Sequence, residues 1–105
     1  MRSETLERLR RVLADRPDVV EKRMVGGVSF NHRDRMFCGA TSAGLLVRID
    51  TEARDAVLGE PHVRPFELGG RQPLGFVIVE PPGYATDELL RRWVERGLEA
   101  AASVG

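Results

Sequence analysis

The chain has 105 residues, 42% apolar and 30% charged, which is enough material for one hydrophobic core over residues 1–105 and excludes a disordered tail. Sixteen basic residues balance sixteen acidic ones, so the basic excess that ordinarily drives non-specific nucleic-acid binding is missing. Cys38 is the only cysteine, which forbids an intrachain disulfide, and no apolar run approaches a signal peptide or a membrane span. The expected location is therefore the cytoplasm, with no membrane partner.

Leu6, Leu9 and Leu13 recur at three- and four-residue spacings between charged residues, which predicts a short amphipathic helix. Ser3 is its expected N-cap, and Arg16-Pro17-Asp18 its stop. From Lys22 to Phe30 the period becomes two. Met24, Gly26, Val28 and Phe30 fall on one face, Arg23, Val25, Gly27 and Ser29 on the other. Gly26-Gly27 can be read as a hairpin turn or as part of one continuous strand. Alternation keeps its phase across the pair, and Asn31-His32-Arg33-Asp34 offers a better turn just after it. The continuous strand is the preferred reading, with the two glycines admitting a helix packed closely over the sheet. On that reading Gly26→Leu destabilises the fold.

A second strand is predicted over Arg35 to Thr41, with Met36, Cys38 and Ala40 on one face and Phe37 and Gly39 on the other. After the turn Thr41-Ser42-Ala43-Gly44 comes a third strand, Leu45 to Ile49. Connections this short make the three an antiparallel meander. Asp50 or Thr51 can cap a second helix reaching about Leu58, closed by Gly59 and Pro61. Pro65 to Leu68 suits an edge strand, and Phe76-Val77-Ile78-Val79, apolar on both faces, a central one. Thr86 or Asp87 caps a last helix whose apolar stripe contains Leu90, Trp93, Val94, Gly97, Leu98 and Ala101. The expected fold class is α+β: an antiparallel five-stranded sheet with flanking helices, in the order α-β-β-β-α-β-β-α.

Arg23-Met24-Val25-Gly26-Gly27-Val28-Ser29-Phe30, followed by Met36-Phe37, resembles the signature of the TfoX N-terminal domain family. Leu45-Leu46-Val47-Arg48, Pro65-Phe66, Gly75-Phe76-Val77 and Leu89-Leu90-x-x-Trp93 extend the resemblance over residues 20 to 101. It implies a secretion-chaperone-like α+β fold and kinship to bacterial competence regulators, and it implies no enzymatic activity. Arg23, Met24, Gly26, Gly27, Phe30, Met36, Phe37 and Trp93 are the motif residues, with a structural or interaction role. Val25 stands where the family usually has phenylalanine. Longer members continue into a second, helical domain, and that domain's contribution is not expected of a chain ending at Gly105.

No constellation of residues points to catalysis. A phosphate cradle would need Gly26-Gly27 to open onto a helix, and here a strand follows. Val28-Ser29-Phe30 matches a nucleophile elbow only in part, because Asn31 replaces the closing glycine. His32 and His62 have no second ligand at metal-site spacing, so neither a metal nor a cofactor is expected. Cys38 is expected to act as a small core residue. The expected role is a non-enzymatic protein-interaction or regulatory module whose partner is another protein or a second copy, possible as a homodimer. A nucleic-acid-binding regulator, with Arg91, Arg92 and Arg96 as its contacts, is the first alternative. A small-molecule site or enzyme built on the loop around Gly69-Gly70-Arg71 is the second.

Overall fold

The structure is a computed structural model and describes residues 4–24 and 26–103. Ser3, the expected cap of the first helix, and Val25, the departure from the family pattern, lie outside the described residues. Helix α1 (Glu4–Val12) turns Leu9 inward with Val12, and Leu13 follows it into the core. Strands β1 (Val19–Met24), β2 (Gly27–His32), β3 (Arg35–Thr41) and β4 (Gly44–Arg48) come next. A 3₁₀ turn, Thr51–Ala53, leads into α2 (Arg54–Leu58). Strands β5 (Val63–Pro65) and β6 (Phe76–Val79) precede a second 3₁₀ turn, Pro81–Tyr84, and α3 (Asp87–Ser103). The class is α+β, as expected, but among the described residues the sheet has six strands in the order β1-β2-β3-β4-β6-β5, every neighbouring pair antiparallel.

The additional strand corrects the reading of Gly26-Gly27. Extended chain begins at Val19, ahead of Lys22, and reverses at Gly26, whose φ of +82° favours glycine. Met24 pairs directly with Gly27, so the glycines close a hairpin and do not lie within one strand. Reversal also inverts the expected faces: Arg23 is opposite Val28, and Met24 lies on the other side of the sheet from Val28. Neither glycine admits a helix. Nothing approaches Gly26, while a Cβ on Gly27 would collide with the carbonyl oxygen of Ala40 on β3. The close helix–sheet approach is made instead by Gly97 of α3, where a Cβ would collide with the carbonyl oxygen of Phe37.

A second correction concerns β3. Phe30 pairs with Cys38 but Asn31 pairs with Met36, so Phe37 is the extra residue of a β-bulge. Phe37 and Cys38 therefore both enter the core beneath the helices, and Met36 goes to the opposite face instead of sharing one with Cys38. The edge strand also lies earlier than expected. Val63, Arg64 and Pro65 pair with β6, whereas Phe66 has left the ladder.

The caps follow ordinary hydrogen-bond chemistry. Asp50 accepts from the Glu52 amide at 3.1 Å, and Thr86 Oγ1 accepts from the Leu89 amide at 3.1 Å. The buried residues of all three helices lie on one face of the sheet, packed against Phe30, Phe37, Leu45, Val47, Val77 and Val79. The other face carries a smaller cluster, Leu46, Phe66 and Ile78, with Met24, Met36, Ala43 and Phe76 half-buried around it. No helix among the described residues covers that face. Its cover is the β5–β6 loop, anchored by an edge-to-face contact between Phe66 and Phe76 at 6.5 Å.

Candidate functional site

The motif residues do not converge on one site. Arg23, Met24, Gly26 and Gly27 form the tip of the β1–β2 hairpin. Phe30, Phe37 and Trp93 are buried in the helix-side core, and Met36 supports the cluster on the opposite face. Aromatic motif positions thus hold the two layers together. The hairpin tip, with its exposed arginine, is the part that meets solvent.

Beside that tip, Arg23, Met24, Gly27, Val28 and Ala40 share a groove of about 470 Å³ with Leu6, Arg10 and Glu21. Arg10 grips Glu21 through Nε and a terminal nitrogen at 2.9 and 2.6 Å. That fork is the main reason the Glu21 carboxyl is held below its usual range, against the opposing effect of partial burial. Arg23 is exposed, and its guanidinium has neither a hydrogen bond nor a carboxylate partner among the described residues.

The arginines of α3 are largely compensated. Arg96 donates to both Glu60 oxygens at 2.9 and 2.7 Å, and its guanidinium lies 4.1 Å from the centre of the Trp93 ring. Arg92 comes within 3.9 Å of Glu88 one turn away. Arg91 is exposed, with Glu88 and Glu95 on the same stretch of helix surface. This helix face presents alternating charge and not a basic stripe.

The residues with catalytic potential are occupied or isolated. Ser29 is buried, donates to the Lys22 carbonyl at 3.3 Å and accepts from Asn31 Nδ2 at 3.1 Å, and among the described residues no histidine or carboxylate hydrogen-bonds to it. His32 Nε2 sits 2.7 Å from an Asp18 carboxylate oxygen on the exposed surface. Burial pushes the Cys38 thiol well above its usual range, so the nucleophilic thiolate is suppressed. Among the described residues no group of three or more His, Cys, Asp or Glu is arranged to hold a metal. Gly69 and Gly70 make an exposed turn in which Leu68 and Arg71 exchange backbone hydrogen bonds of 2.8 and 3.1 Å.

Sequence reasoning missed the face without helices. Leu68 and Leu74, in the loop that Phe66 and Phe76 anchor there, are 47% and 61% exposed, and Val20 of β1 is 53% exposed. Nearby, Arg48 stacks 4.8 Å from the centre of the Phe76 ring and donates from Nε to the Met36 carbonyl at 2.6 Å. Desolvation, reinforced by Arg35, pulls the Arg48 pKa down. The available signal was a pair of phenylalanines, Phe66 and Phe76, flanking a loop otherwise rich in glycine, proline and polar residues. No helix among the described residues is long and apolar enough to cross a membrane.

No curated protein and no solved structure matches the chain. A family model described as the TfoX N-terminal domain matches residues 11–101, nearly the whole described fold and every motif residue placed above. The chain therefore belongs to the TfoX N-terminal domain family.

Proposed function

We propose that this domain is a non-enzymatic interaction module of a regulatory system, and that it docks another protein chain on the helix-free face of its sheet. The observation that carries the reading is the asymmetry of the two faces. One is sealed by α1, α2 and α3; the other ends in a thin loop with Leu68 and Leu74 turned to solvent. Large apolar side chains left exposed in a loop over an otherwise uncovered sheet face favour a protein partner. Arg48 and Arg64 add guanidinium groups to that face, and arginine is enriched at protein interfaces. Membership of the family supports a competence-regulator-like role, and the scattered nucleophiles support a role without chemistry. Nucleic-acid binding draws less support, because Arg96 is committed to Glu60 and the chain is neutral overall.

The test is reconstitution from purified components. A protein that copurifies with the domain from its host is titrated against wild type and against Leu68→Glu/Leu74→Glu. Both side chains are exposed, so the variant is expected to keep its melting temperature. Affinity is expected to fall about tenfold or more, which is what losing roughly 1.4 kcal/mol of apolar contact produces. Equal affinity for both proteins would remove the helix-free face as the docking surface.

A further inference from the structure

We infer that the outer edge of β1 is a self-recognition surface, on which two copies of this chain join their sheets through antiparallel β1–β1 pairing. Among the described residues strand β1 ends the sheet and pairs only with β2, so the backbone groups turned away from β2 meet no strand there. It contains no proline, and it runs from Val19 to Met24, longer than the opposite edge strand Val63–Pro65. A second copy is the natural occupant of such an edge if its own side chains answer those of the first.

Two-fold symmetry restricts the registers sharply. Antiparallel strands related by a two-fold axis normal to the sheet place opposite one another only residues that share a face. Glu21 and Arg23 share the helix-side face, opposite Phe30 and Val28 on β2. Val20, Lys22 and Met24 share the other. Two registers keep most of the strand paired. Centring on Glu21 sets that carboxylate against its own copy and places Val20 against Lys22 and Val19 against Arg23. Centring on Lys22 sets Glu21 against the partner's Arg23 twice, and Val20 against the partner's Met24 twice. Only the Lys22 register pairs opposite charges on one face and apolar groups on the other; its single mismatch is Lys22 against itself.

The local chemistry suits that register. Among the described residues no carboxylate is paired with Arg23. Glu21 gives Arg10 a bidentate grip, yet a carboxylate offers about four lone-pair sites and can accept a second guanidinium. Val20, more than half exposed in the single chain, would be covered by the partner's Met24. The joined sheets would also merge the two helix-free faces into one continuous surface. A contact limited to one strand buries less than the roughly 800 Å² per partner of a standard interface, so the dimer should dissociate in the micromolar range.

Sedimentation velocity over roughly 1–500 µM, a range spanning the expected dissociation constant, tests the pairing. Wild type is expected to shift reversibly from monomer to dimer. By symmetry each single charge reversal changes two pairs, so Glu21→Arg and Arg23→Glu are each expected to weaken the dimer at least about tenfold. The double variant Glu21→Arg/Arg23→Glu restores it, and Lys22→Thr tightens it. Circular dichroism melts confirm that each variant is folded. A wild type monomeric throughout, a double variant no better than the singles, or a Lys22→Thr dimer no tighter than wild type would each overturn the inference. Leu68→Glu/Leu74→Glu is expected to dimerise normally, which separates this edge from the docking face proposed above.

Discussion

A methyl group added to Gly97 would enter a space already filled by the main chain of β3, whereas one added to Gly26 would enter solvent. At Gly97 of α3 an alanine normally helps, since glycine inside a helix costs about 0.5–1 kcal/mol relative to alanine. Here the new Cβ meets the carbonyl oxygen and carbon of Phe37, backbone atoms that cannot rotate away. Overpacking of this kind costs about 1–3 kcal/mol, so the clash outweighs the propensity gain and Gly97→Ala is expected to lower stability. Gly26→Ala should also destabilise, by about 1–2 kcal/mol, because φ at that position is positive and not because of any contact. Urea unfolding of the two variants separates the causes. A Gly97→Ala protein more stable than wild type would show that α3 does not rest on β3 through that glycine. Trp93 illustrates the same economy: its ring fills the core while its indole N–H donates to the Gly83 carbonyl at 3.1 Å, so no buried donor is left unmet.

At the scale of elements, one cross-tie links the α2–β5 connection to α3. Glu60 follows α2 and receives the Arg96 fork, so its carboxyl is held below its usual range, chiefly by those hydrogen bonds. Its pKa is lower folded than unfolded. The stabilisation is therefore fully present above the unfolded value and is lost as pH falls through the folded one. Both partners are more than a third exposed, so the effect is small, less than about 1 kcal/mol. Glu60→Gln is expected to melt slightly below wild type at pH 7 and to lose less on acidification toward pH 3. Parallel melting curves at every pH would mean the pair contributes nothing.

The elements legible in the sequence were those whose apolar residues repeat with one period: α1, α3, β4 and β6. Those read wrongly were the ones where a single residue shifts the phase. Phe37, extra in the bulge, moves Met36 across the sheet while leaving every residue type unchanged. Gly26 reverses the chain, and flanking glycine leaves no side chain from which the reversal could be read. The charged run Glu21-Lys22-Arg23 hid where β1 begins, because an edge strand with one poorly covered face shows little of the alternation that identifies a buried one. The helix-free face was illegible for a different reason. Phe66 and Phe76 are ten positions apart and meet only once the loop has closed.

The whole molecule is two layers of unequal cover, and that inequality should govern how it opens. Strands β3, β4 and β6 carry Phe37, Leu45, Val47, Val77 and Val79 into the helix-side core, so their amides should exchange only when the domain unfolds globally. The β5–β6 loop has less to hold it: Phe66 and Phe76 at its ends, a bridge between Leu68 and Arg71, Gln72 donating to Glu67 at 3.1 Å, the Ile49 amide donating to the Gly75 carbonyl at 2.8 Å, and Arg54 donating to the carbonyls of Pro73, Leu74 and, at the start of β6, Phe76 at 3.3–3.4 Å. It should open locally while the sheet stays intact, briefly uncovering Leu46 and Ile78, which are 0% and 2% exposed when it is closed. Hydrogen exchange read by mass spectrometry is expected to give residues 67–74 much less protection than β4. Arg54→Ala, which removes the donor to the Pro73 and Leu74 carbonyls and to that of Phe76 where β6 begins, should speed exchange in that loop selectively. A loop as protected as β4, or one indifferent to Arg54, would mean that the second face is sealed as firmly as the first. A partner docking there would then have only the outer surface of the loop to read. If the loop opens as expected, the same partner gains access to the buried aliphatic floor of the sheet, and its affinity should rise in variants that loosen the loop without touching Leu68 or Leu74.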